Sequence, residues 1–341
     1  MKAAVMQGFG QALMMQELPL PEPQADEVLL KVQACGVCHS DLHIIDGDTP
    51  GFKAGTKPQL IPGHEVVGTV EKLGADVSHL ALGQRVGVAW LHYSCGVCEQ
   101  CREGLENLCR KGTVTGMTVD GGYAQYMRAK ASHAIAVPES LSSAEAAPLF
   151  CAGVTSYRAL KNAGVGSGQR VAVVGVGGLG HLAVQIARAM GAEVIALDVA
   201  EDKLAAARAL GAAHAFDARA PETPRAVRAL GGAHVAVVTS ASRAAYDLAL
   251  KCLRPAGTLS VVGLPPEPLA FGALQLVSGE FRIVGSAVGT RDDLRATLAL
   301  AAEGKLHCQN ESRPLAQVND VLQQMREGRI QGRVVLDCAS G

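Results

Sequence analysis

The chain has 341 residues, more than one hydrophobic core usually serves, so two domains are expected. With 48% hydrophobic and 18% charged residues it reads as globular, which excludes a disordered chain. A net charge of −1 lacks the electrostatic footprint of a nucleic-acid or membrane-surface binder, so neither is expected as a partner.

The opening stretch, Met1 to Pro23, has no continuous apolar leader and reads as a strand, a turn and a second strand, which implies a cytoplasmic protein. Ten cysteines in that setting are expected as thiols or metal ligands rather than disulfides. Up to about Val137, short β-rich runs such as "EVLLKVQAC", "VVGTVEKLG" and "QRVGVAW" are broken by Gly and Pro, the pattern of a β-dominated domain. From about Thr155 strands and helices alternate, which predicts a parallel sheet covered on both faces. Its strands are expected at Val171–Val174, Val194–Asp198, His214–Phe216, His234–Thr239, Thr258–Val262 and Arg282–Val284, a doubly wound six-stranded sheet. After Thr290 a helix is expected, then a second one with Val318, Val321, Leu322 and Met325 on one face, ending near Gly328, and a closing strand "RVVLD" that returns to the first domain. The domains are drawn at 1–153 and 154–290, with 291–341 as the return.

The segment "VAVVGVGGLGHLAVQIA" places Gly175, Gly177 and Gly180 directly after a strand and at the opening of a helix, with Gly178 and Leu179 between them. Glycines there let the backbone approach a pyrophosphate, which the helix N-terminus also attracts. The next strand ends at Asp198, eighteen residues past the last glycine, where a carboxylate accepts hydrogen bonds from an adenosine ribose and repels a 2′-phosphate. No arginine follows in "DVAEDK", so NAD is favoured over NADP, and Lys203 stands within reach of the adenosine side.

"SCGVCEQCREGLENLC" sets Cys95, Cys98, Cys101 and Cys109 at spacings of two, two and seven residues. That pattern suits tetrahedral zinc, whereas a ferredoxin-type run has a shorter last spacing and ends in Cys-Pro. Four thiolates leave zinc no open position, so this site is structural. A catalytic zinc needs three protein ligands and a vacancy, and Cys38, His64 and Cys151 are the candidates, although scattered ligands are weak individually because a single buried cysteine is more often core than ligand. Their neighbours raise them: Asp41 is placed to orient His64, and Ser40 with His43 to carry a proton. Cys35, Cys252, Cys308 and Cys338 read as core.

The chain resembles the zinc-containing alcohol dehydrogenases of the medium-chain dehydrogenase/reductase family, near the bacterial tetrameric ones, over nearly its whole length. The family's zinc signature is matched by Gly63, His64, Glu65, Gly68, Gly74 and Val77, and "CGVCHSDLH", "FCAGVTSY" and "GRVVLD" follow in family order. The resemblance implies a GroES-like catalytic domain joined to a Rossmann domain, two Zn²⁺ per chain, NAD, and a homotetramer acting on a small alcohol or aldehyde. It implies that Cys38, His64 and Cys151 hold the catalytic zinc, with Glu65 behind it as an occasional ligand, and that Ser40 passes the substrate proton through the cofactor ribose to His43. It further implies that Arg333, His39 and Val288 join the Gly-rich loop at the cofactor, and that Trp90 lines the substrate pocket. Ser40 stands where relatives often carry Thr, and "GFKAGTKPQL" is longer than in many relatives, which alters the rim of the cleft. The rivals are a polyol dehydrogenase, which Cys151 disfavours, a zinc-free quinone reductase, a nucleic-acid-binding zinc protein and a non-catalytic dinucleotide-binding zinc protein.

Overall fold

A computed structural model describes residues 1–339. Contacts divide the chain into two units: one holds Met1–Ala152, Thr290–Ala302 and the residues from Cys308 on, the other Gly153–Gly289 with Glu303–His307. The return is therefore not a single piece running from residue 291 to the end. Residues 303–307 pack with the second unit because the Gln185 amide brackets His307, accepting from its N–H at 2.9 Å and donating to its carbonyl at 2.9 Å. Among the described residues no helix is long and apolar enough to cross a membrane.

In the first unit the strand Glu27–Val37 is the centre of a seven-stranded sheet. It pairs antiparallel with Glu65–Leu73, Tyr126–Lys130 and Arg333–Asp337, so the closing "RVVLD" does return to this unit. Ala, Val and Leu fill it because both faces are covered, and nearly every position is buried. The register sets Gly36 opposite Glu65, which brings Cys38, two residues past Gly36, and His64, next to Glu65, to the same end of the sheet. Any side chain at residue 36 would collide with the Glu65 carboxylate, only 1.8 Å from where a Cβ would lie. The helix Val318–Arg326 buries Val318, Val321, Leu322 and Met325, as its periodicity predicts.

The second unit is a six-stranded parallel sheet in the order His214–Asp217, Glu193–Asp198, Arg170–Val174, Ala233–Val238, Leu253–Val261 and Arg282–Gly285. Sequence order reverses between Arg170–Val174 and Ala233–Val238, the switch point at which such sheets open a ligand crevice. One strand starts earlier than expected, at Leu253 rather than Thr258. Pro255 masks it in the sequence, and an irregularity in the pairing, with Ala256 in the left-handed region at φ 59°, absorbs the proline.

The four-cysteine loop hangs from a two-stranded ribbon, Leu91–Tyr93 with Thr113–Val114. Beneath it His92 and His133 are almost fully buried, and burial pushes both down to a pKa of about 4. The His133 Nε2 accepts from the Ser94 N–H at 3.0 Å, immediately before Cys95, so its protonation breaks a bond at the root of the loop. A histidine depressed below its unfolded value of about 6.5 contributes stability above that pH and loses it as pH falls toward 4, on the order of 3 kcal/mol per group at most. Scanning calorimetry should show the melting temperature dropping between pH 6.5 and 4, with a shallower drop in His133→Asn. An equally steep drop in that variant would contradict the assignment.

Candidate active site

Cys38 ends the extended backbone of the central strand and caps the helix His39–Asp46. His64 immediately precedes the neighbouring strand Glu65–Leu73, and Cys151 follows the buried turn Ala147–Phe150. Ligand atoms of Cys38, His64, Glu65 and Cys151 all lie within 4.8 Å of one another, and all four residues are buried. Three residues separated by 26 and 87 positions in sequence are thus brought to one point by sheet register.

The buried Asp41 carboxylate organises this point. Its Oδ1 stands 2.9 Å from His64 Nδ1, while its Oδ2 accepts from the Cys38 N–H at 2.9 Å and from the Tyr123 hydroxyl at 2.8 Å. The carboxylate accepts from Nδ1, which leaves Nε2 as the ring nitrogen free of Asp41, whose lone pair a metal ion would engage in place of a proton. That Nε2 is fully buried and has no hydrogen-bond partner among the described residues. An unsatisfied buried nitrogen beside two cysteine sulfurs is what a metal ion would satisfy. Burial works to lower the His64 pKa, but the Asp41 carboxylate and the Cys38 sulfur overcome it and raise the pKa well above its ordinary value, making the ring a more basic ligand. Cys38 and Cys151 have their sulfurs 3.9 Å apart, and their mutual hydrogen bond draws Cys38 well below the ordinary thiol range and Cys151 well above it.

Glu65 offers a carboxylate oxygen to the same cluster. Burial raises its pKa to about 7 against the pull of Arg333, whose guanidinium donates to Oε1, while Oε2 is buried without a partner among the described residues. The resemblance set Arg333 at the cofactor; in the structure it is buried and paired with Glu65. Ser40 and His43 lie three residues apart on the helix His39–Asp46, both half-buried, and His39 is exposed. Trp90 sets its ring edge-on to His64, with centroids 4.9 Å apart, and Phe52 packs on Trp90 at 5.6 Å. Phe52 comes from the helix Pro50–Gly55 within the long "GFKAGTKPQL" stretch.

Cys95, Cys98, Cys101 and Cys109 converge with their sulfurs within 4.8 Å of one another and partly exposed. Backbone N–H groups of Val97 and Cys98 lower the Cys95 pKa to about 6, favouring a thiolate. Arg291 anchors the loop, its guanidinium donating to both Glu106 oxygens, Nη2 to Oε2 at 2.6 Å.

In the second unit each glycine of the loop has its own reason. Gly175 holds φ 92°, and a Cβ on Gly180 would sit 1.8 Å from the Gly175 carbonyl, whereas Gly177 has nothing within 4 Å and faces open space. Gly175, Gly177, Asp198, Lys203 and Arg219 line a cavity of about 520 Å³, which fits a dinucleotide's adenosine half. Asp198 Oδ2 accepts from the Val176 N–H at 2.6 Å, tying the acidic residue to the glycine turn, and retains lone pairs for a ribose. Gly178 and Leu179 are half-buried at the mouth of the helix, and Val288 holds a left-handed φ of 46°, a costly conformation for a β-branched residue. Arg219 and Tyr123 had no sequence signal, because each joins its site from a distant segment, whereas Phe52 lies in the stretch expected to alter the cleft rim.

A family model described as the alcohol dehydrogenase GroES-like domain matches residues 24–139, and one described as zinc-binding dehydrogenase matches residues 178–303. The chain is 46% identical to an alcohol dehydrogenase of Geobacillus stearothermophilus, covering 98% of this chain and 99% of that one. It is 45% identical to an alcohol dehydrogenase of Moraxella sp. strain TAE123, covering 99% of each. Among solved structures it is similar to the alcohol dehydrogenase of Aeropyrum pernix, with a TM-score of 0.90 at 35% identity over 99% of this chain and 100% of that one. The acetophenone reductase of Geotrichum candidum, solved in complex with NAD, also gives a TM-score of 0.90, at 34% identity over 99% and 97% of the two chains. With zinc-ligand residues gathered in one unit and a dinucleotide fold in the other, the chain belongs to the zinc-containing alcohol dehydrogenases of the medium-chain dehydrogenase/reductase family.

Proposed function

We propose that this alcohol dehydrogenase oxidises a primary or small secondary alcohol reversibly to the aldehyde or ketone with NAD⁺, and that it holds two zinc ions per chain. The observation that carries the reading is the fully buried, unpartnered His64 Nε2, set beside two cysteine sulfurs and held from behind by Asp41. Cys38, His64 and Cys151 would hold one zinc, and Cys95, Cys98, Cys101 and Cys109 the other. When bound, the first ion supplies Lewis acidity to the alcohol oxygen, and NAD⁺ supplies the hydride acceptor. Ser40 takes up the hydroxyl proton and His43 accepts it in turn, while Trp90 and Phe52 exclude water and bound the substrate. Glu65, turned toward the cluster or held by Arg333, tunes its charge. The family resemblance supports a cytoplasmic homotetramer.

A second reading, use of NADP, comes from Arg219, a cation in the adenosine cavity. Asp217 already engages that guanidinium through both carboxylate oxygens, at 3.2 and 3.1 Å, and Asp198 would stand against the added phosphate. A charge conflict of about 2–3 kcal/mol corresponds to roughly a hundredfold preference for NAD in kcat/KM. Asp198→Asn, which keeps an acceptor for Val176, should narrow that ratio; a parent enzyme that prefers NADP would overturn the reading.

The two metal clusters should separate by phenotype. Cys38→Ser is expected to abolish turnover while the enzyme remains folded and binds NAD. Cys109→Ser should lose one zinc and melt on the order of 10 °C lower, since closed thiolate sites contribute directly to folding. Reversed phenotypes in metal analysis and calorimetry would mean that the roles are exchanged.

A further inference from the structure

We propose that Asp48 is a positioning residue for proton transfer, fixing the His43 ring so that Nδ1 carries the hydrogen and Nε2 is the nitrogen that receives the substrate's proton. This rests on the reading of His43 as the relay base. The helix His39–Asp46 stops because Gly47 turns left-handed, at φ 64° and ψ 26°, with its N–H donating to the His43 carbonyl at 3.0 Å. A Cβ at this turn would also lie 2.6 Å from the Phe9 ring, so only glycine fits. The reversal carries Asp48 back beside the helix, and both of its carboxylate oxygens come to 3.0 Å from His43 Nδ1.

The Thr49 hydroxyl donates to Asp48 Oδ1 at 3.0 Å and fixes the carboxylate in turn. Thr49 then leads into the helix Pro50–Gly55, whose Phe52 ring packs 6.5 Å from the His43 ring on a tilted face. One short loop therefore sets both the tautomer and the lateral position of the imidazole. An unanchored neutral imidazole exchanges between two tautomers, only one of which presents a lone pair at Nε2. The other charged groups around this helix are engaged elsewhere or lie along it. Asp46 pairs with Arg326 at 2.7 Å, the Lys53 ammonium lies 5.2 Å over the Phe9 ring, and His39 sits one turn earlier.

The His43 and Asp48 side chains are 29% and 53% exposed, and an ion pair that open to water contributes little to stability. Its effect is on orientation. During oxidation the alcohol's hydroxyl proton passes through Ser40 to Nε2. The ring becomes an imidazolium whose Nδ1–H remains on Asp48, and the Nε2 proton is then lost to water. No other bond of the ring changes.

The test uses the zinc-loaded full-length enzyme with ethanol and NAD⁺. Asp48→Ala should lower kcat about tenfold, less than the 10²–10⁴ of a whole positioned base, with melting temperature, zinc content and alcohol KM unchanged. Asp48→Asn should recover part of the loss, because its amide oxygen still accepts from Nδ1–H. Nitrogen-15 spectra of the His43 imidazole should show the Nδ1–H tautomer in the parent and a mixture in Asp48→Ala. In a His43→Ala background the Asp48→Ala change should cost nothing further. If Asp48→Ala is as active as the parent while His43→Ala is impaired, or if parent His43 is the Nε2–H tautomer, this inference falls alone. If His43→Ala keeps full kcat, the relay falls and this inference with it.

Discussion

A carboxylate cut off from water must be satisfied by hydrogen bonds, and the way Asp41 is satisfied decides the geometry of the metal-ligand cluster. Its three donors come from three places: the Cys38 backbone at the end of the central strand, the His64 ring before the neighbouring strand, and the Tyr123 hydroxyl far along the chain. An unpaired charge at this depth is strongly destabilising, so the three donors are constrained together. The same interaction that locks the fold at the sheet's end turns the imidazole so that Nε2 points away from the carboxylate. Position and ligand chemistry are one constraint here. A change at Asp41 would disturb His64, Cys38 and the start of the helix bearing Ser40 and His43 at once.

The two cysteine clusters show how burial separates roles. The loop site is complete in itself, partly exposed, and tied to the rest of its unit through Glu106 and Arg291. Its four sulfurs come from a span of fifteen residues, so it depends on local turns more than on sheet register. The other cluster is buried and assembled over long range, and it brings only two sulfurs and one imidazole, with a carboxylate held partly by an arginine. A closed shell holds structure, whereas an open one in a dry pocket can take a substrate oxygen.

Much of this was legible in the sequence because the signals are local. The Gly175 to Asp198 fingerprint, the cysteine spacing, the six strands and the apolar face of Val318–Arg326 are each written within a short window. What escaped depends on contacts across the chain. Tyr123 reads as a strand aromatic until the fold lays it on Asp41, and Arg219 comes to the adenosine cavity from the turn after His214–Asp217, a strand two away from Arg170–Val174. Pro255 hid the first half of a strand, since proline removes a ladder donor and only a bulge tolerates it. The docking of residues 303–307 turned on one glutamine amide, which periodicity does not reveal. Asp48 was visible as a residue but not as a partner, because Gly47 has to reverse the chain before it meets His43.

Zinc-edge anomalous diffraction from crystals of the active enzyme should show two peaks per chain, one among the four loop sulfurs and one at bonding distance, roughly 2.0–2.3 Å, from Cys38 Sγ, His64 Nε2 and Cys151 Sγ. A fully active crystal with a peak at the loop alone would mean that the buried cluster holds no zinc.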